Sequence, residues 1–332
     1  IDKFDKKSEA RDLLESFIGS DFIVDFIETK PSKSSPSPPF TTSSLQQGAS
    51  NRLGFSVSRT MSTAQKLYEA GFITYMRTDS TALSNDAVSN MEKYIIGNYG
   101  DKYLEKRKYT TKAKVAQEAH EAIRPTDISK LNCGADDSQK KLYKLIWERS
   151  ICSQMSNAIF DKTNMNIISN NKHGSVFQSK GQMIKFDGYL RAQHDTSNGS
   201  KKDKLLPNLK LGDKVVSRVI NANEKYTKSP SRFTEASLVK KMEDLGIGRP
   251  STYAPTISVI QKRAYVVKED VLGVEKAHVH LMLTEGQISE LVIQDFIGAE
   301  KKKLLPTEIG TITSDFLVEN FNDILDYNFT AK

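Results

Sequence analysis

Cysteine is scarce. Cys133 and Cys152 form no CxxC pair, which excludes a zinc ribbon or a disulfide scaffold within the chain and leaves two reduced thiols as the expectation. No apolar run approaches the roughly 18 to 20 residues of a membrane helix. The opening Ile1-Asp2-Lys3-Phe4-Asp5 lacks the basic-then-apolar order of a signal peptide, so a cytoplasmic protein with no membrane partner is expected. No internal repeat is visible, which excludes solenoids and propellers. There is no Asp-x-Asp-x-Asp run either. Asp136-Asp137 is adjacent, unsuited to octahedral ligation, and reads as a helix cap. His120-Glu121 has no second histidine four residues on, which excludes a zincin.

What remains describes a soluble globular chain of 332 residues, 38% hydrophobic and 27% charged, enough for two domains or one large toroid. A net charge of +7 permits a polyanionic partner without establishing one. The charge is uneven: from Glu224 to Lys268, nine basic residues stand against four acidic.

Along the chain, Ser8 to Ile18 has helical spacing and Phe22 to Ile27 is strand-like. The Pro/Ser-rich stretch 30–44 holds four prolines, fits neither a helix nor a central strand, and reads as a crossing between two bodies. Helices follow: Thr42 to Leu53, Thr60 to Ala70 closed by Gly71, residues 84–98, and Asp136 to Ile159. From Lys162 to Ser217 the pattern turns antiparallel β, with a polar loop from Gln193 to Lys204. Helices are expected to return from Thr234, broken at Gly246-Ile247-Gly248-Arg249-Pro250, with Pro250 in the first turn of a second helix. Two helices and a short turn also outline a helix-turn-helix.

The most informative stretch is Gly71 to Ser80, where Tyr75 stands among Thr74, Arg77, Thr78, Asp79 and Ser80. On spacing alone this is either a strand-end tyrosine before a Thr-Asp-Ser turn or a phenol placed to attack a phosphodiester, with Arg77 stabilising the phosphoryl charge. Gln65 and Glu69, four apart, share one face of the preceding helix.

Five motifs carry a longer signal: Pro39 to Gln47; Leu67-Tyr68-Glu69 with Ile73 to Ser80; His120 to Asp127; Glu235 to Lys240; and Gly246 to Ala254. In order and spacing they resemble bacterial type IA DNA topoisomerases over essentially the whole chain. The Met after Tyr75 and the Glu-Ala-Ile-Arg run resemble the topoisomerase I branch.

The resemblance implies a toroidal α+β core. A discontinuous β-rich arch or hinge domain is expected at 1–38 and 160–228, a helical tyrosine-bearing domain at 39–159, and a mainly helical single-strand DNA-binding domain at 229–332. It implies ATP-independent relaxation of negatively supercoiled DNA through a 5′-phosphotyrosine link. Tyr75 and Arg77 would be catalytic. Gln65, Glu69, Thr74, Thr78, Asp79, His120, Arg124, Arg249, Ser251 and Thr252 would contact DNA. Mg²⁺ is implied too, on ligands of a Toprim domain whose Glu-Ser-Pro-x-Lys and acidic motifs are missing here, so no metal ligand is expected within the chain. The sequence accordingly reads as a core fragment of a larger enzyme, a monomer acting at the bacterial nucleoid. The competing reading is a catalytically silent DNA-binding core.

Overall fold

The computed structural model describes residues 4–109, 120–171, 174–196, 206–321 and 325. Helix α1 (Lys7–Ser16) leads into strand β1 (Phe22–Ser34), which takes in Pro31 and the start of the Pro/Ser stretch. β1 is central only at its beginning, where β4 (Lys214–Val215) pairs with Phe22 and Ile23. At Pro31, opposite Asp161 of β2 (Ala158–Ser169), β1 is an edge strand, a position that tolerates a missing N–H. β3 (Val176–Phe186) completes an antiparallel sheet in the order β3-β2-β1-β4. The expected polar loop starts inside α6 (Leu190–Thr196), and residues 197–205 lie outside the described ones.

The tyrosine-bearing body holds α2 (Thr42–Leu53), α3 (Val57–Glu69), α4 (Asn85–Tyr99) and α5 (Asp137–Ser153). Its helices begin where side chains can satisfy free N–H groups: Thr41 and Ser44 form a reciprocal capping box, and Asp136 accepts the Gln139 N–H at 2.8 Å. Phe40, Leu45, Leu67, Ile73, Tyr143 and Trp147 are almost wholly removed from water in one core, and the Trp147 indole N–H donates to the Ile128 carbonyl at 2.8 Å. Two contacts tie this body to the segments that flank it in sequence. The Arg149 guanidinium stacks 4.3 Å from the Phe40 ring centroid and donates to the Pro38 carbonyl, while the Tyr103 hydroxyl bonds Asp187 at 2.8 Å.

Next come β5 (Val219–Asn223), α7 (Glu235–Leu245) and α8 (Tyr253–Lys262). The segment that follows departs from the helical expectation: β6 (Val266–Val271), β7 (Val274–Thr284), β8 (Gln287–Ile297) and β9 (Glu300–Pro306) precede α9 (Glu308–Asn320). The reason is local. Glu285 and Gly286 both adopt positive φ, 51° and 80°, which makes the two-residue type I′ turn that closes a hairpin, with Thr284 opposite Gln287. Val279, Leu281 and Leu283 alternate onto one face, where they pack with Leu14, Phe17 and Phe22. Through the β5–β7 pairing this hairpin forms a three-stranded sheet in the order β5-β7-β8.

Candidate active site and nucleic-acid interface

Helix α3 leads into the turn that carries Tyr75. Ser56 caps its start by accepting the Arg59 N–H, and Gly71 at φ +72° ends it in a conformation that disfavours a side chain. The chain beyond is then woven to the other motifs by backbone contacts. Ile73 bridges Pro125, Phe40 bridges Ile123, and the Thr74 N–H donates to the Arg124 carbonyl at 2.9 Å. The Thr74 hydroxyl donates to the Ala122 carbonyl at 2.7 Å. Thr42 and Thr78 exchange bonds of 2.8 Å, N–H to carbonyl one way and N–H to hydroxyl the other. Three motifs distant in sequence thus set the position of Tyr75.

Buried Ile73 and Met76 anchor the turn from below, and Tyr75 between them is 41% exposed. Its ring meets that of Tyr68 edge-on, centroids 5.2 Å apart. The Gln65 amide donates to Glu69 at 2.7 Å. Arg77 is exposed and, among the described residues, holds no hydrogen bond or ion pair, so its charge is available to a ligand. A cleft of about 320 Å³ opens here between α3 and α8. Gln65, Met76 and Arg77 line it from the tyrosine-bearing body, and Pro250, Ser251 and Ala254 line it from the other side.

The remaining expected residues divide between exposed positions and positions bonded within the protein. Thr78 is buried at 2% exposure and its hydroxyl accepts the Ser80 N–H, so it frames the turn. Asp79 is half-buried; burial first, then the charges of Glu243 and Asp79, push the Tyr253 hydroxyl up to about 12. His120 is half-buried at the head of the loop that carries Arg124. Arg124 is occupied within the protein: Nε and Nη2 bind the Glu121 carboxylate at 3.2 and 2.8 Å, and Nη1 donates to the Pro125 carbonyl. Burial raises the Glu121 pKa, but bonds from Arg124 and Ser84 outweigh it and hold the group below its ordinary value.

Arg249, Ser251 and Thr252 are exposed at the start of α8. The Thr252 hydroxyl accepts the Arg249 N–H at 2.8 Å, forming a tight turn that delays the helix to Tyr253, so Pro250 precedes the first helical turn instead of opening it. The α8 face bearing Tyr253, Ala254 and Ile257 packs with Val239 and Met242 of α7 and with Val57 of α3.

Two acidic residues to which the sequence assigns no role also join the bodies. Glu235 accepts the Val57 N–H at 2.9 Å, and Glu243 accepts the Ser43 hydroxyl at 2.7 Å. Glu235 is easily missed, because a carboxylate in the first turn of a helix reads as an answer to the helix dipole. The implied Mg²⁺ finds no ligand set: among the described residues, no three His, Cys, Asp or Glu side chains gather to hold a cation. No described helix is long and apolar enough to cross a membrane.

An exposed tyrosine held by three motifs, with an exposed arginine two residues on that lines a cleft between two bodies, matches one class of protein. The DNA topoisomerase family model covers residues 1–279, and the chain belongs to that family, in its bacterial type IA class. It is 42% identical to DNA topoisomerase 1 of Rickettsia bellii over 339 residues, covering 97% of this chain and 38% of the relative. It is 41% identical to DNA topoisomerase 1 of Campylobacter jejuni, covering 98% of this chain and 43% of the relative. The solved full-length topoisomerase I of Thermotoga maritima superposes with a TM-score of 0.74 at 30% identity, covering 100% of this chain and 50% of that one. The chain therefore spans about two fifths of the length of these curated relatives.

Proposed function

We propose that this chain is the strand-cleaving core of a type IA DNA topoisomerase, which relaxes negatively supercoiled DNA without ATP. The observation that carries the reading is the cleft, which Arg77 lines on one side and Ser251 on the other, with Tyr75 next in sequence to Met76 of the lining. In the reaction, the Tyr75 Oη forms a bond to the scissile phosphorus as the bond from phosphorus to the 3′-oxygen breaks. The tyrosine proton is lost and the departing 3′-oxygen gains one, leaving a 5′-phosphotyrosine and a free 3′-hydroxyl. Arg77 supplies positive charge where the phosphoryl oxygens gain negative charge. Gln65 and Glu69 fix the near wall. Arg249, Ser251 and Thr252, with backbone N–H groups at the start of α8, grip neighbouring phosphates. Arg124, Thr74 and Thr78 act by holding the turn and the His120 loop. Among the described residues no group of side chains is placed to hold Mg²⁺.

Single-stranded segments of nucleoid DNA are the substrate of this reading, and a monomer suffices because both walls of the cleft come from one chain. The helix-turn-helix alternative is not favoured, since the start of α8, with Ser251 and Ala254, lines the cleft against α3 instead of standing on an open face. The test is to incubate the chain and its Tyr75→Phe variant with negatively supercoiled plasmid and Mg²⁺, with and without a separately supplied Toprim domain. Relaxation is expected for the tyrosine chain supplemented with that domain. Relaxation surviving in the phenylalanine variant would remove Tyr75 from the role of nucleophile.

A further inference from the structure

Glu235 is the first residue of α7, yet only 8% of it is exposed, and its two carboxylate oxygens serve different bodies. Oε1 accepts from Lys268 Nζ at 2.9 Å and from Gln261 Nε2 at 3.5 Å, both on its own side of the cleft. Oε2 accepts the N–H of Val57 at 2.9 Å, from the opposite side. Val57 is the first residue of α3, and its N–H is one of the donors that a helix start leaves without an internal partner. Ser56 satisfies the N–H of Arg59, and Glu235 reaches across to satisfy that of Val57. The carboxylate also sits where the positive end of the α3 dipole favours an anion.

This contact bears on the site through α3 itself. The helix is a stiff rod about 20 Å long. It carries Gln65 and Glu69 and ends at the turn that presents Tyr75. Seating its first residue on α7 fixes one end of the rod relative to Ser251 across the cleft. The apolar contacts of Val57 with Val239, Met242 and Ile257 hold the two bodies together without fixing direction, whereas a hydrogen bond to a helix start does fix it. The contact can also be reversed without stranding a charge: were the bodies to part, Glu235 would keep Lys268 and water would take its place on the Val57 N–H.

We infer that Glu235 is a positioning residue that registers α3, and with it Gln65, Glu69 and Tyr75, against α7 and α8 whenever the two bodies dock. The inference rests on the proposed reading for the meaning of docking, but its test needs neither DNA nor cleavage. Dyes placed through Lys93→Cys and Lys241→Cys, both exposed positions on opposite bodies, report docking by single-molecule energy transfer in the full chain; native Cys133 and Cys152 are buried. Amide exchange of Val57 reports the contact itself.

Glu235→Ala is expected to raise the undocked fraction about tenfold and to speed Val57 exchange, with exchange inside α3, at Ala64 and Leu67, unchanged. Glu235→Gln, which keeps a carbonyl acceptor, should recover most of the docked fraction. An unchanged docked fraction in Glu235→Ala overturns the inference. So does loss of protection at Ala64 and Leu67 along with Val57, which would make Glu235 a general stabiliser of the fold. Tyr75→Phe should dock as the parent does, so a failed nucleophile and a failed positioning contact give different results.

Discussion

The guanidinium of Arg124 binds both carboxylate oxygens of Glu121, three residues earlier, at 3.2 and 2.8 Å. The pair ties down a loop whose backbone also receives the Thr74 N–H, so it braces the strut under Tyr75. Arg77, by contrast, is exposed and unpaired among the described residues. The two arginines should therefore fail differently. Arg124→Ala is expected to lower unfolding free energy by roughly 1–2 kcal/mol, since it leaves a partly buried carboxylate without its partner. Arg77→Ala should leave stability within about 0.5 kcal/mol while cutting formation of the covalent tyrosine adduct by on the order of a hundredfold. Urea unfolding and adduct trapping on a single-stranded oligonucleotide check the pair. Equal stability losses would contradict the division of roles.

That division was hidden in the sequence for a physical reason. A Glu three residues before an Arg reads as helix-surface spacing, but here it lies in an irregular loop, and only the fold shows the arginine turned inward. Caps were legible because their chemistry is local: Asp136 before α5, Thr234 before α7, and Gly71 and Gly246 at positive φ after helices. The tyrosine motif was legible as a motif, but the burial of Thr78 and the bond its hydroxyl accepts from the Ser80 N–H were not. The strands β6 to β9 were not read. Many of their residues are exposed, so alternation between a wet and a dry face is weak, and Thr284-Glu285-Gly286-Gln287 lacks the Asn or Asp that usually announces such a turn. Contacts between bodies, such as Ser43 with Glu243 across 200 residues, leave no periodic trace at all.

Acid should loosen the molecule by a route that can be assigned. Glu121 and Glu235 both have folded pKa values below their ordinary 4.5, because hydrogen bonds and cations outweigh the burial that would raise them. A depressed carboxylate contributes stability that is present above the unfolded pKa and is lost as pH falls through the folded one. The urea midpoint is therefore expected to hold steady above about pH 5 and to decline below about pH 4.5. Glu121→Gln should lower the midpoint at neutral pH and flatten that decline. A variant with the same acid slope as the parent would remove Glu121 from this account.

Tyr68 is the neighbour that orients the Tyr75 ring, edge-on at 5.2 Å. Such aromatic pairs are worth about 0.5–1.5 kcal/mol beyond simple burial. Tyr68→Phe keeps the ring and should leave adduct formation near the parent rate. Tyr68→Ala frees the Tyr75 ring and is expected to slow adduct formation by roughly two- to tenfold, with oligonucleotide affinity little changed, because the lost property is orientation and not charge. A phenylalanine variant as slow as the alanine one would assign the effect to the Tyr68 hydroxyl instead.

Strand preference separates a cleft from a groove-reading helix. A cleft between two bodies admits one strand, and Arg249 and Arg77 would meet its phosphates, so binding should favour single-stranded over duplex DNA of equal length. On a single strand each neutralised phosphate contributes a slope of about −0.7 in the logarithm of affinity against the logarithm of salt. Arg249→Ala should reduce the slope by about that amount on every sequence tested, as expected of a phosphate contact that carries no base information. Fluorescence anisotropy over a salt series measures both quantities. Equal or tighter binding to duplex, with a slope unchanged by Arg249→Ala, would favour a major-groove helix over the cleft.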